Sequence, residues 1–250
     1  MKVFSVCGAS KSGKTTTIEL LIRELLRRGH TVGSVKDIHF EQFAVDTPGT
    51  NTHRHMQAGA DPVTARGLSE TGVMFGRQLS LHEILRHYSQ DFVILEGVSE
   101  TGIPAILTAH SVSELDERRT PFVFAVSGRV SASISEYGGL PAIDGMADIA
   151  ALADLAERKV YRYMPMLPMN TKECCGLCGF DCETLGRRII AGESEPDDCL
   201  LQKRVALTVN GREIDMVPFV QALLKNAVLG VAKELRGYEK GRVEVSFTEF

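Results

Sequence analysis

Several things are scarce in this sequence, and each shortage closes a class of function. There is no excess of positive charge: 28 Lys and Arg stand against 32 Asp and Glu, for a net charge of -4. A nucleic-acid binder that works through a basic face needs the opposite balance. No apolar run approaches the roughly 18 residues that a membrane span requires. The opening stretch, Met1-Lys2-Val3-Phe4-Ser5-Val6-Cys7-Gly8, meets a glycine too soon for the apolar region of a signal peptide, which argues against export. Internal repeats and low-complexity segments are missing as well. The rest is 44% hydrophobic and 24% charged over 250 residues, the make-up of a globular chain with room for one ordinary domain and something more. The expectation is a cytoplasmic protein with neither a membrane nor a nucleic-acid partner.

From Met1 to about Pro168, short apolar or β-branched runs alternate with helical patterns, as in a mostly parallel α/β sheet. Val3–Cys7, Val32–Val35, Phe92–Leu95 and Phe122–Val126 read as strands buried on both faces. Ile18, Leu21, Ile22, Leu25 and Leu26 share one face of a helix over 14–28, closed by Arg27, Arg28 and Gly29. Ser80 and Glu83 have capping-box spacing for a second helix near 80–88. Ile149, Leu152 and Leu155 mark a third over 148–158. Residues 169–203 lose this rhythm. The tail, 204–250, reads strand, turn at Asn210-Gly211, strand, helix over the apolar stripe from Phe219 to Leu235, then an alternating strand at 242–247. Three parts result: a P-loop nucleotide-binding domain over 1–168, a cysteine-rich segment over 169–203, and a small α+β tail.

The strongest motif is Gly8-Ala9-Ser10-Lys11-Ser12-Gly13-Lys14-Thr15, an unbroken G-x-x-x-x-G-K-[ST] between an apolar strand and an amphipathic helix. Its glycines let successive N–H groups curl around a phosphate, while the helix opened by Lys14, Thr15 and Thr16 adds its positive end. Lys14 is expected on the β- and γ-phosphates, and the Thr15 hydroxyl on Mg²⁺. A magnesium shell also wants one or two carboxylates. Glu96, ending the run Phe92-Val93-Ile94-Leu95 ahead of Gly97, stands at the sheet edge where such ligands bind. Its plain alternative is a solvated strand end. Lys36 leaves the second strand on the same edge. In the loop beyond it, Asp46 reads either as a holder of metal or water in hydrolysis or as a turn residue. His39, His53 and His55 have the look of a metal set, but histidines in polar loops are usually just solvated.

The Walker sequence, the second-strand Lys36 with nearby His39, the Asp46-Thr47-Pro48-Gly49 segment, Ala58-Gly59-Ala60 and the strand ending in Glu96-Gly97 occur in that order. Together they resemble the MobB family of molybdopterin-guanine dinucleotide biosynthesis adaptor proteins over about residues 1–165. The resemblance implies a GTP-binding homodimer, a weak GTPase at most, that works with a molybdopterin-type cofactor and the nucleotidyltransferase of the pathway. Two departures stand out: Asp37 follows Lys36 where the family has histidines, and Ser99 and Ala105 occupy places where it often has lysines. No N-K-x-D guanine reader is present, so GTP over ATP follows from the resemblance alone. The rival readings are an NTP-driven metallocofactor insertase and a P-loop small-molecule kinase.

Six cysteines are present, five of them between Cys174 and Cys199. A secreted scaffold would spread them as staples; clustered in a cytosolic chain they read as metal or redox ligands. Cys175-x2-Cys178-x3-Cys182, with Cys199 beyond sixteen intervening residues, supplies the four thiolates of a [4Fe–4S] cluster, with tetrahedral zinc the alternative. Three ligands crowded in one loop with one distant partner favour the cubane. The segment also resembles the small iron–sulfur domain of corrinoid proteins and electron-transport subunits, one residue short between its second and third cysteines. Cys174 is a spare that can stand in for Cys175, and Cys7 reads as a buried hydrophobe.

Overall fold

A computed structural model describes residues 1–39, 42–98, 102–161, 178–195, 198, 205, 207–209, 212–214, 216, 218–239, 243 and 245. In chain order the first elements are β1 (Lys2–Gly8), α1 (Lys14–Arg27), β2 (Val32–Lys36), α2 (Asn51–Gln57), β3 (Val63–Arg66), β4 (Thr71–Met74) and α3 (Leu81–Leu85). Then come β5 (Phe92–Glu96), β6 (Ala105–Thr108), α4 (Val112–Arg118), β7 (Val123–Ser127), β8 (Glu136–Tyr137), β9 (Leu140–Pro141) and α5 (Ile149–Lys159). The remainder comprises α6 (Cys182–Ala191), β10 (Leu207–Val209), β11 (Arg212–Ile214) and α7 (Pro218–Ala232).

Five of the strands form one sheet in the order β2-β5-β1-β6-β7, with every pairing parallel. Parallel strands alternate their side chains between two covered faces, so inner strands must be apolar at nearly every position. β1 does this: Phe4 and Val6 join Ile94, Ile106 and Phe124 under Ile18, Leu21 and Leu25 of α1 and Leu152, Ala153 and Ala156 of α5. Val3, on the other face, packs with Val93, Leu95 and with Leu81 and Leu85 of α3. Leu107 meets Leu115 of α4 there. Each fully buried chain of this size contributes about 1.5–3 kcal/mol. β2 lies at one end of the sheet and is only half-buried.

The four strands read from sequence are present, with ends shifted by a residue or two, and so are the helices at 14, 80 and 148. The capping box is formed at α3: the Ser80 hydroxyl accepts the Glu83 N–H, and Glu83 Oε2 accepts the Ser80 N–H at 2.9 Å. β6 was not read from sequence. It has four residues after Pro104, too few for a periodic signal, yet all four are buried. The antiparallel β3–β4 hairpin was also missed, because only Val63 and Met74 at its open end are buried.

The stretch over 169–203 holds a helix where sequence periodicity indicates none. In α6, Leu185, Ile189 and Ile190 are buried in the same core as Phe122 and Tyr161. Leu185, Ile189 and Ile190 share one face, but the stripe is less than three turns long and lies among the cysteines; the ends carry a further signal, since the Asp181 side chain accepts the Thr184 N–H at 2.6 Å and Gly192 closes the helix at a φ of 82°. Gly186 is needed where α6 meets the core, since a Cβ there would lie 2.7 Å from the Phe122 ring. Lys159 Nζ, at the end of α5, donates to the Ile190 carbonyl at 2.8 Å. In the tail, β10 and β11 pair antiparallel and α7 follows, as read from sequence. Gln221 ties them: it accepts the Val205 N–H at 3.3 Å and donates to the Met216 carbonyl at 2.9 Å. Asn210-Gly211 and most of the expected strand at 242–247 lie outside the described residues.

Candidate functional site

The C-terminal ends of the parallel strands converge on the loop between β1 and α1. That loop is pressed against β6 and β7 closely enough to dictate glycine. A Cβ on Gly8 would come 1.9 Å from the Thr108 carbonyl oxygen, and Gly8 has a φ of 143°. Gly128, just past β7, has a φ of 77°, and a Cβ on it would lie 2.3 Å from the Ser12 carbonyl oxygen. Polar contacts lock the same seam. Ser12, wholly buried, shares a hydrogen bond with the Thr108 hydroxyl at 2.6 Å, and its carbonyl accepts the Arg129 N–H at 3.0 Å.

The start of α1 is open. Gly13, the residue before it, is in the left-handed region and has no side chain to cap the helix, and the first turn holds no acidic residue. The first N–H groups of a 14-residue helix are therefore left facing the loop, an anion site by construction. The Lys14 ammonium folds back over the loop and donates to the Gly8 carbonyl at 3.1 Å and the Ala9 carbonyl at 2.6 Å. An arriving phosphate would replace those weak acceptors with charged oxygens.

Glu96 meets this loop. The registers of β5 with β1 and β2 set Glu96 beside Val6 and Lys36. Glu96 Oε1 accepts the Thr15 hydroxyl at 3.0 Å and the Lys36 ammonium at 3.1 Å. Glu96 is 16% exposed and Lys36 59%, so the carboxylate is held in the wall while the lysine arches over it from solvent. Thr15 and Glu96 together present two hard oxygen donors within one coordination sphere of each other, the donor set that magnesium takes. Thr15, Lys36 and Glu96, singled out one by one in sequence, are thus one cluster, and Lys14, next to Thr15, bonds the loop carbonyls.

The other sequence candidates lie differently. Asp46 Oδ1 accepts the Thr47 N–H at 2.8 Å and the Thr50 hydroxyl at 2.9 Å, closing its own turn ahead of α2. His39 stands 3.8 Å from Asp37 and is largely exposed, and His53 Nδ1 accepts the Gly49 N–H at 3.5 Å. Among the described residues no three His, Cys, Asp or Glu side chains are grouped to hold a metal. Cys175 and Cys199 lie outside the described residues, as does the side chain of Cys182, which opens α6. Cys178 is half-buried against Phe180 and the main core, with its thiol donating to the Phe180 carbonyl at 3.3 Å. Burial pushes the Cys7 thiol above its usual range, in keeping with a packing role. No helix among the described residues is long and apolar enough to cross a membrane.

Sequence reasoning passed over Thr108, His110 and Gly128, which shape the loop from the β6–β7 side. Gly128 was findable, since a glycine directly after a buried strand at the ligand edge commonly marks a close backbone approach. Thr108 ends, and His110 follows, a strand that was itself unread.

Known proteins resemble this chain over much of its length. A protein of Methanocaldococcus jannaschii, named as a molybdopterin-guanine dinucleotide biosynthesis adapter, is 28% identical over 96% of this chain and 94% of its own length. The molybdopterin-guanine dinucleotide biosynthesis adapter protein of Haemophilus influenzae is 31% identical over 42% of this chain and 61% of its own. The crystal structure of Bacillus subtilis MobB superposes with a TM-score of 0.54 at 24% identity, covering 65% of this chain and all of that one. The profile of MobB, molybdopterin guanine dinucleotide synthesis protein B, matches residues 3–127, half of the sequence. With that match spanning the phosphate loop, Lys36 and Glu96, the chain belongs to the MobB family.

Proposed function

We propose that this protein is a GTP-binding adaptor in molybdenum or tungsten cofactor maturation, assisting the formation or delivery of molybdopterin guanine dinucleotide. The observation that carries the reading is the joining of Thr15 and Lys36 on one Glu96 oxygen at the open end of α1, within the segment that matches the family. Lys14 and the loop N–H groups hold the phosphates, and Lys36 neutralises the charge nearest Glu96. The Thr15 hydroxyl and the Glu96 carboxylate would hold Mg²⁺, which supplies charge neutralisation at the β- and γ-phosphates. Turnover is slow at most. Asp46 is the residue nearest in chemistry to a base, and its one bonded oxygen serves its own turn. The protein acts as a homodimer together with the nucleotidyltransferase of the pathway.

The cysteine segment adds a cofactor of its own in this proposal. Cys175, Cys178, Cys182 and Cys199 ligate a [4Fe–4S] cluster, a donor set of four thiolates that fits the cubane and, less well in its spacing, zinc.

The deciding experiment is competitive binding of GTP and ATP, each with Mg²⁺, to anaerobically purified protein and to Lys14→Ala. GTP preferred, with binding lost in Lys14→Ala, is the expected result. A preference for ATP would move the reading to an insertase or a kinase. Unchanged affinity in Lys14→Ala would remove the nucleotide site altogether.

A further inference from the structure

A loop that turns its N–H groups inward onto an anion must turn its carbonyls outward, and each outward carbonyl then needs a donor. The donors can be followed residue by residue. The Gly8 carbonyl takes Lys14 Nζ, and Ala9 takes Lys14 Nζ and the Ser12 hydroxyl at 2.8 Å. Gly13 takes the Thr17 N–H at 2.9 Å, and Ser12 takes the Arg129 N–H. The Ser10 carbonyl, at the crest of the loop, is met by the ring of His110, with Nε2 at 2.9 Å. A carbonyl can only accept, so Nε2 carries the proton.

His110 is well placed for this. It follows β6 by two residues, on the strand that already fixes the loop through Thr108. Its own N–H is held by Glu114 Oε2 at 2.8 Å, and the Glu114 N–H is bonded by Ser111, the residue capping α4. The imidazole thus stands on a braced corner, about 100 residues away in sequence from the carbonyl it holds. Next to that carbonyl, Lys11 has a φ of 59°, a conformation a non-glycine residue adopts only when its surroundings impose it. The peptide between Ser10 and Lys11 therefore has its carbonyl tied outward and its N–H turned the other way.

We propose that His110 is a positioning residue for the phosphate loop: its Nε2–H anchors the Ser10 carbonyl and keeps the Lys11 N–H available to the nucleotide phosphates. This rests on the nucleotide site proposed above and adds a residue to it. His110 touches no phosphate in this account; without it the Ser10–Lys11 peptide is free to rotate and present a carbonyl to the anion. Loss of one hydrogen bond of this kind weakens binding by about 3- to 10-fold.

The test measures Mg²⁺-GTP and Mg²⁺-ATP affinity, and thermal unfolding with and without nucleotide, for the full-length wild type, His110→Ala, His110→Phe and His110→Gln. The Gln amide nitrogen reaches the place of Nε2; the Phe ring fills the space without a donor. Expected is a 3- to 10-fold loss of affinity in Ala and Phe alike, recovery in Gln, and a nucleotide-free Tm lowered by no more than about 2–4 °C in any variant. Equal affinity in all four would overturn the assignment while leaving the nucleotide site standing. A drop in nucleotide-free Tm that parallels the affinity loss, with no recovery in Gln, would make His110 a packing residue instead. A wild type that binds neither nucleotide would overturn both readings together.

Discussion

Glu24, in the middle of an amphipathic helix, looks in the sequence like one more solvated charge. In the fold it is 7% exposed and gripped by two arginines. Arg27 Nε and Nη2 lie 2.8 and 2.7 Å from its two oxygens, and Arg28 Nε is 2.8 Å from one of them. Arg28 then spans to α5, reaching Asp154 and Glu157 at 2.6 Å each. The hydrogen bonds from Arg27, and after it Arg28, pull the Glu24 carboxyl from its usual 4.5 down to about 2. Between those values the unfolded chain takes up a proton that the folded one refuses, so stability rises with pH there. Full benefit is present above about 4.5 and fades as pH falls toward 2. Urea unfolding across this range should therefore show an acid limb that flattens in Glu24→Gln, which should also be less stable at neutral pH. The same limb in the variant would disprove the grip. Lys14, Thr15 and Glu96 were legible in the sequence because a loop motif and a strand-ending acid have local signatures. The roles of Glu24 and His110 depend on partners that only the fold supplies.

At the scale of elements, the ends of helices were the most readable feature and short strands the least. The capping box at Ser80 and Glu83 was legible because it is written in two residues three apart. Glu83 does more than the pattern demands, also pairing Arg77 at 2.8 Å, and that partner, first, holds its carboxyl at about 2. Ser80→Ala should cost about 1 kcal/mol, the usual worth of such a cap; chemical denaturation would check it, and no change would mean that α3 is held by Leu81 and Leu85 alone. β6 gave no such sign. Its four residues carry no period, and its identity as a strand comes from neighbours: β1 on one side, β7 on the other, with a break in register between Ala105 and Ile106. α6 was passed over for another reason: Leu185, Ile189 and Ile190 do share one face, but its ten residues fall among the cysteines, whose spacing drew the reading.

For the molecule as a whole, the parallel sheet was legible through its buried strands, and the sheet fixes where the site must be. The division after residue 168 was drawn from composition, and α6 lends three residues to the sheet's core from beyond it. The M. jannaschii relative extends over nearly the entire chain, whereas the Haemophilus and Bacillus proteins match only part of it. Anaerobic purification should give about four irons per chain with visible charge-transfer absorption, reduced to background when Cys178 and Cys182 are both changed to Ser. Stoichiometric zinc in a colourless sample would replace the cluster.

Thr15 and Glu96 are 81 positions apart along the chain, yet their oxygens lie 3.0 Å from one another. Neither half of the pair has any use for a magnesium nucleotide until β5 has slotted in beside β1. Nucleotide occupancy is therefore a vote on the whole sheet: the unfolded chain offers no such pairing, and a ligand at a hundred times its Kd would deepen the folded state by about 2.7 kcal/mol. An adaptor built this way would be sturdiest when loaded, so that the supply of nucleotide would bear on how long it stays folded.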